Sequence, residues 1–446
     1  MAYGGDFGEH HHLTNVCQDG LVTPDRVPHS ALKELKAVYA PIRIEMDEEK
    51  RIFLWNRCAF SDLKEYEIKW TVMTEEEVIF EGTCAVSGGP GERAELPVPT
   101  NVAGYGPNTY IVVKAVLPEQ TNWAEKGYVV AGRGFFLTEG DAGDSLKKES
   151  TVSDMPVLAE SRAEYVVCGK HFAYIFRKDE GILSQMIIRG KELLEESVAF
   201  NCFRAPTDND LRWGTGIAVS WNKTREFGNI EYPELSVKNF KAYTEKDSVV
   251  LSGDYIFSVQ GRCPISTGTI AYRIQKDGTL EVSQKGAISE KMPYWLPRYG
   301  YKFTLKKEME QIKYLGLGEA ECYEDKRSHA VPGVFSYQCD DPLEAYERPQ
   351  ECGSHCDTRW LKVTDGKMGF RVLGKDFSFN ASHYDVHQAS KAAHQKDLVR
   401  EEKTYLHVDY RMSGVGSASV GGQPPIPECR INPGEEIDFT IYIQPI

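Results

Sequence analysis

Short segments in which apolar and polar residues alternate make up most of the chain. Clear examples are residues 66–72, 110–116, 268–274 and 436–443, and turns such as Asp277-Gly278 separate them. Alternation with a period of two places the apolar side chains of a β-strand on one face of a sheet. The chain is therefore predicted to be mainly β.

The predicted strands fall into two groups. Residues 39–140 contain several short strands at regular spacing, which is typical of an immunoglobulin-like β-sandwich. Residues 141–160 are polar, charged and poor in apolar side chains, so they are predicted to be a linker. Residues 161–446 again contain strand after strand, and we expect one large β-sandwich there.

The first 38 residues differ from both groups. They begin with a glycine-rich, loop-like stretch, and one short helix is predicted over residues 31–38 with Ser30 as its N-cap. A free-standing unit of this size would have almost no core. We therefore expect residues 1–35 to be weakly held where nothing else covers them.

Charge and hydropathy exclude several classes of function. The formal net charge of −14 argues against nucleic-acid binding, which needs a basic surface, and against anionic membrane surfaces. No apolar run approaches the roughly 20 residues that span a bilayer, and the N-terminus lacks the pattern of a signal peptide. A cytoplasmic location is the default expectation, with neither nucleic acid nor membrane as a partner.

The eleven cysteines are scattered over the whole chain, which predicts free thiols in a reducing compartment. Cys352, His355 and Cys356 lie close together in the sequence and are zinc-ligand types. A structural zinc site usually needs a second pair of ligands at short spacing, and none is obvious. A loop with incidental thiols is therefore favoured over a zinc site.

Residues 203–210 combine a cation, a proline turn, a carboxamide and two carboxylates. On a strand, Asp208 and Asp210 would share a face with their side chains about 6–7 Å apart, so acid–base chemistry has to be considered. We favour the alternative that they hydrogen-bond the backbone and Arg204 to hold a loop.

Four segments in the last domain resemble the glycoside hydrolase family 2 β-galactosidases in order and spacing. They are residues 204–210, 316–325, 348–353 with 359–360, and 394–398 with 409–416. Residues 3–8, 17–22 and 24–26 resemble the last loop and helix of that family's catalytic (β/α)8 barrel. The resemblance covers nearly the whole chain. It implies a barrel remnant over residues 1–38, the immunoglobulin-like domain over 39–140, and a galactose-mutarotase-like β-sandwich of the small-chain type over 161–446.

The resemblance implies a function in the hydrolysis of terminal β-D-galactosides such as lactose. Retaining hydrolysis needs two carboxyl groups about 5–5.5 Å apart. In this family both belong to Glu residues on earlier barrel strands, and no carboxylate of this chain matches either. We therefore expect no catalytic residue here. The chain would serve as scaffold, oligomer interface and rim of the sugar site.

The resemblance also implies sugar-binding residues. Asp208 and Asn209 are candidates, as are Ser417 and Ser419 in a glycine-rich loop that lacks the stacking Trp of well-known members. Trp213 and Trp221 are the nearest aromatic residues, and we expect them to pack rather than to contact sugar.

The metal sites are likewise implied by the resemblance alone. Asp19 matches a family sodium ligand, Val16 a backbone carbonyl, and His12 takes the place of an Asn that approaches a divalent ion. Na⁺ and Mg²⁺ are expected in the complete enzyme, while this chain itself requires no cofactor. The run His10 to His12 could instead bind a transition metal, but a solvated loop is favoured.

The partners implied are the β-galactoside sugar, the remainder of the catalytic barrel and further copies in a homo-oligomer. Two alternatives stay open: a stand-alone carbohydrate-binding module and an aldose 1-epimerase. The second would use acid–base groups such as His387, His394, His407 and Glu401. It is disfavoured because epimerases do not carry the preceding barrel tail.

Overall fold

The computed structural model describes residues 2–18, 20–101, 104–140, 146, 154–211, 216–416 and 424–446. Strands dominate this part of the chain, which confirms the mainly-β prediction. The strands, numbered β1 to β24 in chain order, are Ile42–Met46, Ile52–Asn56, Glu67–Thr74, Glu77–Cys84, Arg93–Leu96, Thr109–Val116, Val129–Phe136, Val157–Glu160, Glu164–Cys168, Phe172–Arg177, Ile182–Ile188, Lys191–Glu192, Ala199–Asn201, Pro233–Thr244, Ser248–Val259, Pro264–Gln275, Leu280–Ile288, Arg298–Lys306, Gln311–Gly318, Val331–Gln338, His355–Thr364, Gly369–Ser382, Lys403–Met412 and Glu436–Pro445. The helices α1 to α4 are Ser30–Val38, Asp208–Leu211, Ile217–Lys223 and Val386–Lys391, and 3-10 turns occur at Thr14–Gln18, Leu63–Glu65, Gln395–Asp397 and Pro427–Cys429.

Strands β1 to β7 form a two-layered sandwich. One sheet has the order β1-β2-β5 and the other β4-β3-β6-β7. The alternation read in β3 buries Ile68 and Val72, which join Ile52, Leu54 and Val113 in a core between the sheets. Three and four strands in two facing antiparallel sheets match the predicted immunoglobulin-like architecture.

The remaining strands build the large sandwich. A five-stranded sheet has the order β12-β11-β10-β9-β8, and the main path of the larger sheet is β13-β18-β23-β22-β24-β17-β16-β15-β14. Strand β8 lies within the predicted linker and pairs with β9. The linker prediction is therefore wrong for residues 157–160, while residues 141–145 and 147–153 lie outside the described part.

The strand nearest the C-terminus lies inside the large sheet. Strand β24 hydrogen-bonds β17 on one side and β22 on the other, so Ile443 pairs with both Leu280 and Val372. Its inward side chains Ile437, Phe439 and Ile441 are buried in the main core.

A separate apolar cluster joins the two sandwiches. Tyr110 of β6 is buried together with Leu315, Trp360 and Leu373 of the large sandwich. The immunoglobulin-like domain is thus attached through apolar side chains.

Helix α1 packs its start against the large sandwich. The residue that caps it is His29, without a side-chain hydrogen bond to the helix, so the prediction of Ser30 as N-cap is wrong. Ser30 is the first helical residue, and its hydroxyl donates instead to Glu321 Oε1 at 2.8 Å.

Two other expectations can be compared with the structure. All eleven cysteines are free thiols, as predicted. Among the described residues, no helix is both long enough and apolar enough to cross a membrane.

Candidate functional site: a polar rim above buried charges

The segment 203–210 forms a buried ion pair. The Nε and Nη2 atoms of Arg204 each donate to an oxygen of Asp210 at 3.0 Å, and its other hydrogen bonds reach the carbonyls of Ser413 and Gly414 at 2.7 and 3.0 Å. Because both charges are sealed from water, the bidentate pairing is needed to offset their desolvation. The predicted loop-holding role of Asp210 is confirmed, but the two Asp residues lie on helix α2 and not on a strand.

Two Trp rings frame this guanidinium. The ring centroids of Trp221 and Trp295 lie 5.9 and 5.6 Å from the guanidinium carbon Cζ of Arg204. The two rings pack edge to face, with their centroids 5.4 Å apart. Trp221 is fully buried, so the expectation that it packs is confirmed. Trp213 lies outside the described residues.

The loop that follows β23 is anchored from two directions. The amides of Val415 and Gly416 donate to the two oxygens of Asp325, both at 2.8 Å, and the Asn209 amide donates to the Val415 carbonyl at 2.9 Å. A Cβ on Gly414 would lie only 2.4 Å from the Asp325 carboxyl carbon, so this approach requires glycine. The loop is therefore held firmly up to residue 416. The sugar-binding candidates Ser417 and Ser419 come next and lie outside the described residues.

Asp208 joins the N-terminal segment to the large sandwich. Its oxygens accept hydrogen bonds from Asn15 Nδ2 at 3.0 and 2.9 Å and from Gln350 Nε2 at 3.1 Å. The carboxylate is exposed and keeps acceptor capacity, since an ionised carboxylate has about four lone-pair sites. Asp208 and Asn209 thus lie side by side. We call these two residues, together with Asn15, Gln350 and Asp325, the polar rim.

A second buried network lies beneath the rim. Arg298 donates from Nη2 to Asp409 at 2.6 Å and to Asn380 at 3.1 Å, and its Nη1 lies 3.7 Å from Glu351. Burial raises the pKa of Glu351 to about 7, although the charges of Arg298 and Arg204 oppose this shift. Glu351 is therefore poised to change charge near neutral pH.

His407 lines the same cleft as Arg298 and Glu351. Burial, together with the positive charge of Arg298, holds the pKa of His407 well below its usual range. The ring is neutral at pH 7, and its Nδ1 accepts a hydrogen bond from Asn201 Nδ2 at 3.2 Å.

Glu321 and Glu351 are the buried carboxylates that most resemble a catalytic pair, because the Tyr323 hydroxyl lies 3.5 Å from an oxygen of each. Glu321 is already engaged by Lys326 at 2.6 Å and by the Gly353 amide at 2.7 Å. Both side chains are almost completely buried. Their contacts are with other protein groups, so they are better explained as structural carboxylates than as a catalytic pair.

The residues implied as metal ligands lie only partly within the described part of the chain. Asp19 lies outside the described residues, His12 Nδ1 accepts from the Thr14 amide at 3.3 Å, and Val16 is partly exposed. Val16 offers a backbone oxygen for sodium, whereas His12, assigned to the divalent ion, offers a ring nitrogen where Mg²⁺ prefers oxygen. These ligand assignments stay predictions.

The side chains of the Cys352 to Cys356 segment do not converge. The Cys356 and Cys322 sulfurs are 3.1 Å apart, while His355 Nδ1 lies 3.0 Å from the Tyr314 hydroxyl. The favoured interpretation, a loop with incidental thiols, stays a prediction.

The acid–base groups of the epimerase alternative have separate partners. His387 meets Glu231 at 3.0 Å, His394 meets Asp6 at 2.7 Å, and Glu401 accepts from the Tyr405 hydroxyl at 2.7 Å. A concerted acid and base on one sugar ring would need two of these groups free and facing each other.

Sequence reasoning missed Asn15, Gln350 and Asp325 as members of the rim. Asp325 ends the motif at 316–325, so the motif itself was a signal. Asn15 lies 193 positions from Asp208, and no local pattern connects them.

Comparison with known proteins covers the chain from end to end. The family model described as Beta galactosidase small chain matches residues 168–443, Beta-galactosidase, domain 4 matches 52–138, and Glycosyl hydrolases family 2, TIM barrel domain matches 1–44. The chain is 29% identical to a β-galactosidase of Staphylococcus xylosus, covering 99% of this chain and 44% of that protein. It is 30% identical to one of Actinobacillus pleuropneumoniae, covering 94% and 40%. The chain thus spans less than half the length of these relatives.

Two solved structures align with part of the chain at low scores. Galactose 1-epimerase from Lactobacillus acidophilus NCFM covers 66% of this chain and 99% of its own length, with 7% identity and a TM-score of 0.35. The GalM/aldose epimerase homologue from C. elegans covers 66% and 99%, with 8% identity and a TM-score of 0.34. Scores of this size carry no argument about activity.

Proposed function

This chain belongs to the glycoside hydrolase family 2 β-galactosidases and corresponds to their C-terminal portion, and we propose that it serves there as a non-catalytic part of an enzyme that hydrolyses terminal β-D-galactosides such as lactose. Its roles would be scaffold, oligomer interface and rim of the sugar site. The catalytic Glu pair would come from the remainder of the barrel.

The distribution of exposed apolar side chains carries this proposal. Among the described residues, eight of the nineteen large hydrophobic side chains that face solvent lie in the first 39 positions. Phe7, Leu13 and Val27 are 85%, 66% and 56% exposed. A cluster of this kind in so short a stretch marks a surface that another protein surface covers. The TIM barrel family model that matches residues 1–44 supports the rest of that barrel as the occupant.

The same segment faces the large sandwich with polar groups. His29 Nδ1 lies 2.7 Å from Glu344, and Glu34 accepts from the Ser328 and His329 amides at 3.1 and 3.0 Å. Residues 29–34 are therefore held on their inner side, in contrast to the weak attachment expected from the sequence. The first 39 residues thus combine polar contacts to the sandwich with exposed apolar side chains at other positions, as expected of a segment that lies between two bodies.

The rim would meet the sugar from the side of the large sandwich. Asp208 and Asn209 offer a carboxylate and a carboxamide, which are hydrogen-bonding groups suited to sugar hydroxyls. Ser417 and Ser419, which lie outside the described residues, stay part of this proposal because they follow the loop anchored by Asp325 in the sequence. Sodium at Asp19 and the Val16 carbonyl, and magnesium near His12, stay part of this proposal for the complete enzyme.

The test is a complementation assay. The chain alone is expected to leave a chromogenic β-galactoside intact, and hydrolysis should appear when a second polypeptide supplies the N-terminal domains and barrel of this family. The double variant Phe7→Asp/Leu13→Asp should lower the regained activity more than about tenfold, because charges would be buried in the contact. Size-exclusion chromatography of the active mixture would show whether it forms a homo-oligomer of the complex.

Phe60→Asp is the matched control. Phe60 is 97% exposed but lies in the immunoglobulin-like domain, so this charge should leave the regained activity unchanged. Cleavage of the β-galactoside by the chain alone would contradict the non-catalytic role, and rapid mutarotation of α-galactose would favour an epimerase.

A further inference from the structure

A group of metal-ligand side chains lies on the large sandwich and contains none of the candidate residues named so far. Cys339 and Asp340 directly follow β20, and His383 directly follows β22. One ligand atom from each of the three lies within 4.8 Å of the other two. Cys339 and His383 are buried, while Asp340 is partly exposed.

The spacing fits a single ion. Three atoms no more than 4.8 Å apart all lie within about 2.8 Å of a common centre. Zinc bonds to Cys, His and carboxylate ligands are about 2.0–2.3 Å long, so small side-chain rotations close the remaining gap.

The histidine is oriented as metal-binding histidines are. Nδ1 of His383 donates to the Lys403 carbonyl at 2.7 Å, which leaves Nε2 as the nitrogen that faces the group. A backbone carbonyl on one ring nitrogen commonly fixes the tautomer in which the other binds a metal.

Glu310 lies beside this group of three and is the candidate for a fourth ligand. Its Oε2 lies 3.1 Å from His383 Nε2. Two ligands about 2.0 Å from a tetrahedral zinc ion are about 3.3 Å from each other, so the observed contact nearly has the separation of two ligands on one ion. The Cys339 amide donates to the Glu310 carbonyl at 2.9 Å, which keeps the two residues together.

The charges of the group also favour a divalent cation. Asp340 and Glu310 carry two negative charges, and Arg400 carries one positive charge next to them. A divalent cation together with the Cys339 thiolate that forms on binding would bring this sum to zero. Thiolate and imidazole ligands select zinc over magnesium or calcium, which prefer oxygen.

We propose that Cys339, Asp340, His383 and Glu310 bind one Zn²⁺ ion that ties the β19–β20 hairpin to the end of β22. On binding, the Cys339 thiol releases its proton to solvent and the sulfur bonds to zinc. Arg400 competes with zinc for the same two carboxylates, since its Nε lies 3.0 Å from Asp340 and its Nη2 3.3 Å from Glu310. Its side chain is partly exposed and can turn outward.

The test uses the full chain without a polyhistidine tag. The background variant is His10→Gln/His11→Gln/His12→Gln, because a run of exposed His rings would compete for metal in this assay. After treatment with a chelator and equilibrium dialysis against zinc, one ion per chain is expected. Cys339→Ser should weaken zinc binding more than about 100-fold, while Arg400→Gln should tighten it about tenfold.

Two control variants separate this site from other thiols. Cys263→Ser removes an exposed cysteine and Cys356→Ser removes one of the paired sulfurs, and neither should change zinc affinity. Zinc retained by Cys339→Ser, or lost in Cys356→Ser, would overturn the proposal.

A spectroscopic arm makes the result independent of whether Cys339→Ser folds. Titration of the background variant with Co²⁺ should produce a thiolate-to-cobalt charge-transfer band with a one-to-one end point. If the band is absent, His383 is instead a protonated ring that donates to both Lys403 and Glu310, and there is no metal site.

Discussion

The large sandwich holds two neighbours by different chemistry. The immunoglobulin-like domain is attached through an apolar cluster around Trp360 and through solvent-exposed ion pairs such as Lys313 with Glu76, which contribute little. The N-terminal segment is attached through carboxylates that include the buried Glu321 and the partly buried Glu34. Apolar contact depends on area and tolerates small shifts, while buried charge requires every partner in place. The first contact is therefore stable over a wide range of conditions, and the second positions its segment accurately but responds to pH.

The largest expected effect comes from breaking the apolar contact. Trp360→Ala should lower the free energy of unfolding by about 3–5 kcal/mol, because it leaves a cavity between the two sandwiches. Urea unfolding followed by tryptophan fluorescence and by circular dichroism measures this. Trp123→Ala, at a side chain that is 63% exposed, should change stability by less than about 0.5 kcal/mol. Equal effects of the two changes would contradict an apolar attachment.

Breaking the polar contact at its buried centre should have a slightly smaller effect. Glu321→Ala leaves Lys326 without its partner at 2.6 Å and Ser30 without its acceptor, which should cost about 3 kcal/mol. Limited proteolysis should then cut within residues 29–38. Asp438→Asn, in an exposed pair with Lys285, should cost less than about 1 kcal/mol. Unchanged protease resistance in Glu321→Ala would show that the segment is held by other means.

The buried charges beneath the rim should make the stability of the chain depend on pH. The pKa of Glu351 is raised to about 7, so the folded state binds its proton more tightly than the unfolded chain does. Its contribution to stability is complete below about pH 4.5 and is lost as the pH rises through 7. The free energy of unfolding of Glu351→Gln, relative to that of the unmodified chain, should therefore rise by on the order of 3 kcal/mol between pH 4 and pH 8. A difference that stays constant over this range would refute the buried, raised pKa.

The contribution of Glu34 to stability should depend on pH in the opposite direction, and its effect should be the smallest. Burial opposes its ionisation, but hydrogen bonds from His329 and Ser328 lower its pKa to about 2. Its contribution is complete above about pH 4.5 and is lost as the pH falls toward 2. After allowance for partial solvent exposure, Glu34→Gln should cost about 1–2 kcal/mol at pH 7 and little at pH 2.5. Hydrogen exchange of the α1 amides measures this, with the exposed Glu48→Gln as control.

Local pattern predicted much of this architecture. The alternation in β3 and the polar stretch before β8 are patterns among residues adjacent in the sequence. Such features can therefore be predicted without knowledge of the fold. The end of the linker could not, because β8 has only four residues and exists through its pairing with β9. Ser30 was misread as a cap because its hydroxyl is taken by Glu321, 291 positions away.

The same limit applies to the sites. Arg204 and Asp210 are six positions apart, so their pairing was within reach of sequence reasoning. Asn15 with Asp208, and Cys339 with His383, meet only through the fold. The zinc hypothesis for Cys352 to Cys356 followed short spacing, whereas the group that converges combines residues about 40 positions apart.

The position of β24 has a consequence for how the chain is made. This strand is synthesised after all the others, yet it separates β22 from β17 in the middle of the main path of the large sheet. Until residues 436–445 have left the ribosome, two half-sheets each present an open edge strand to the crowded cell. Completion of the sheet is therefore a late, long-range event. Transient chaperone binding to nascent chains should end only once this strand has emerged.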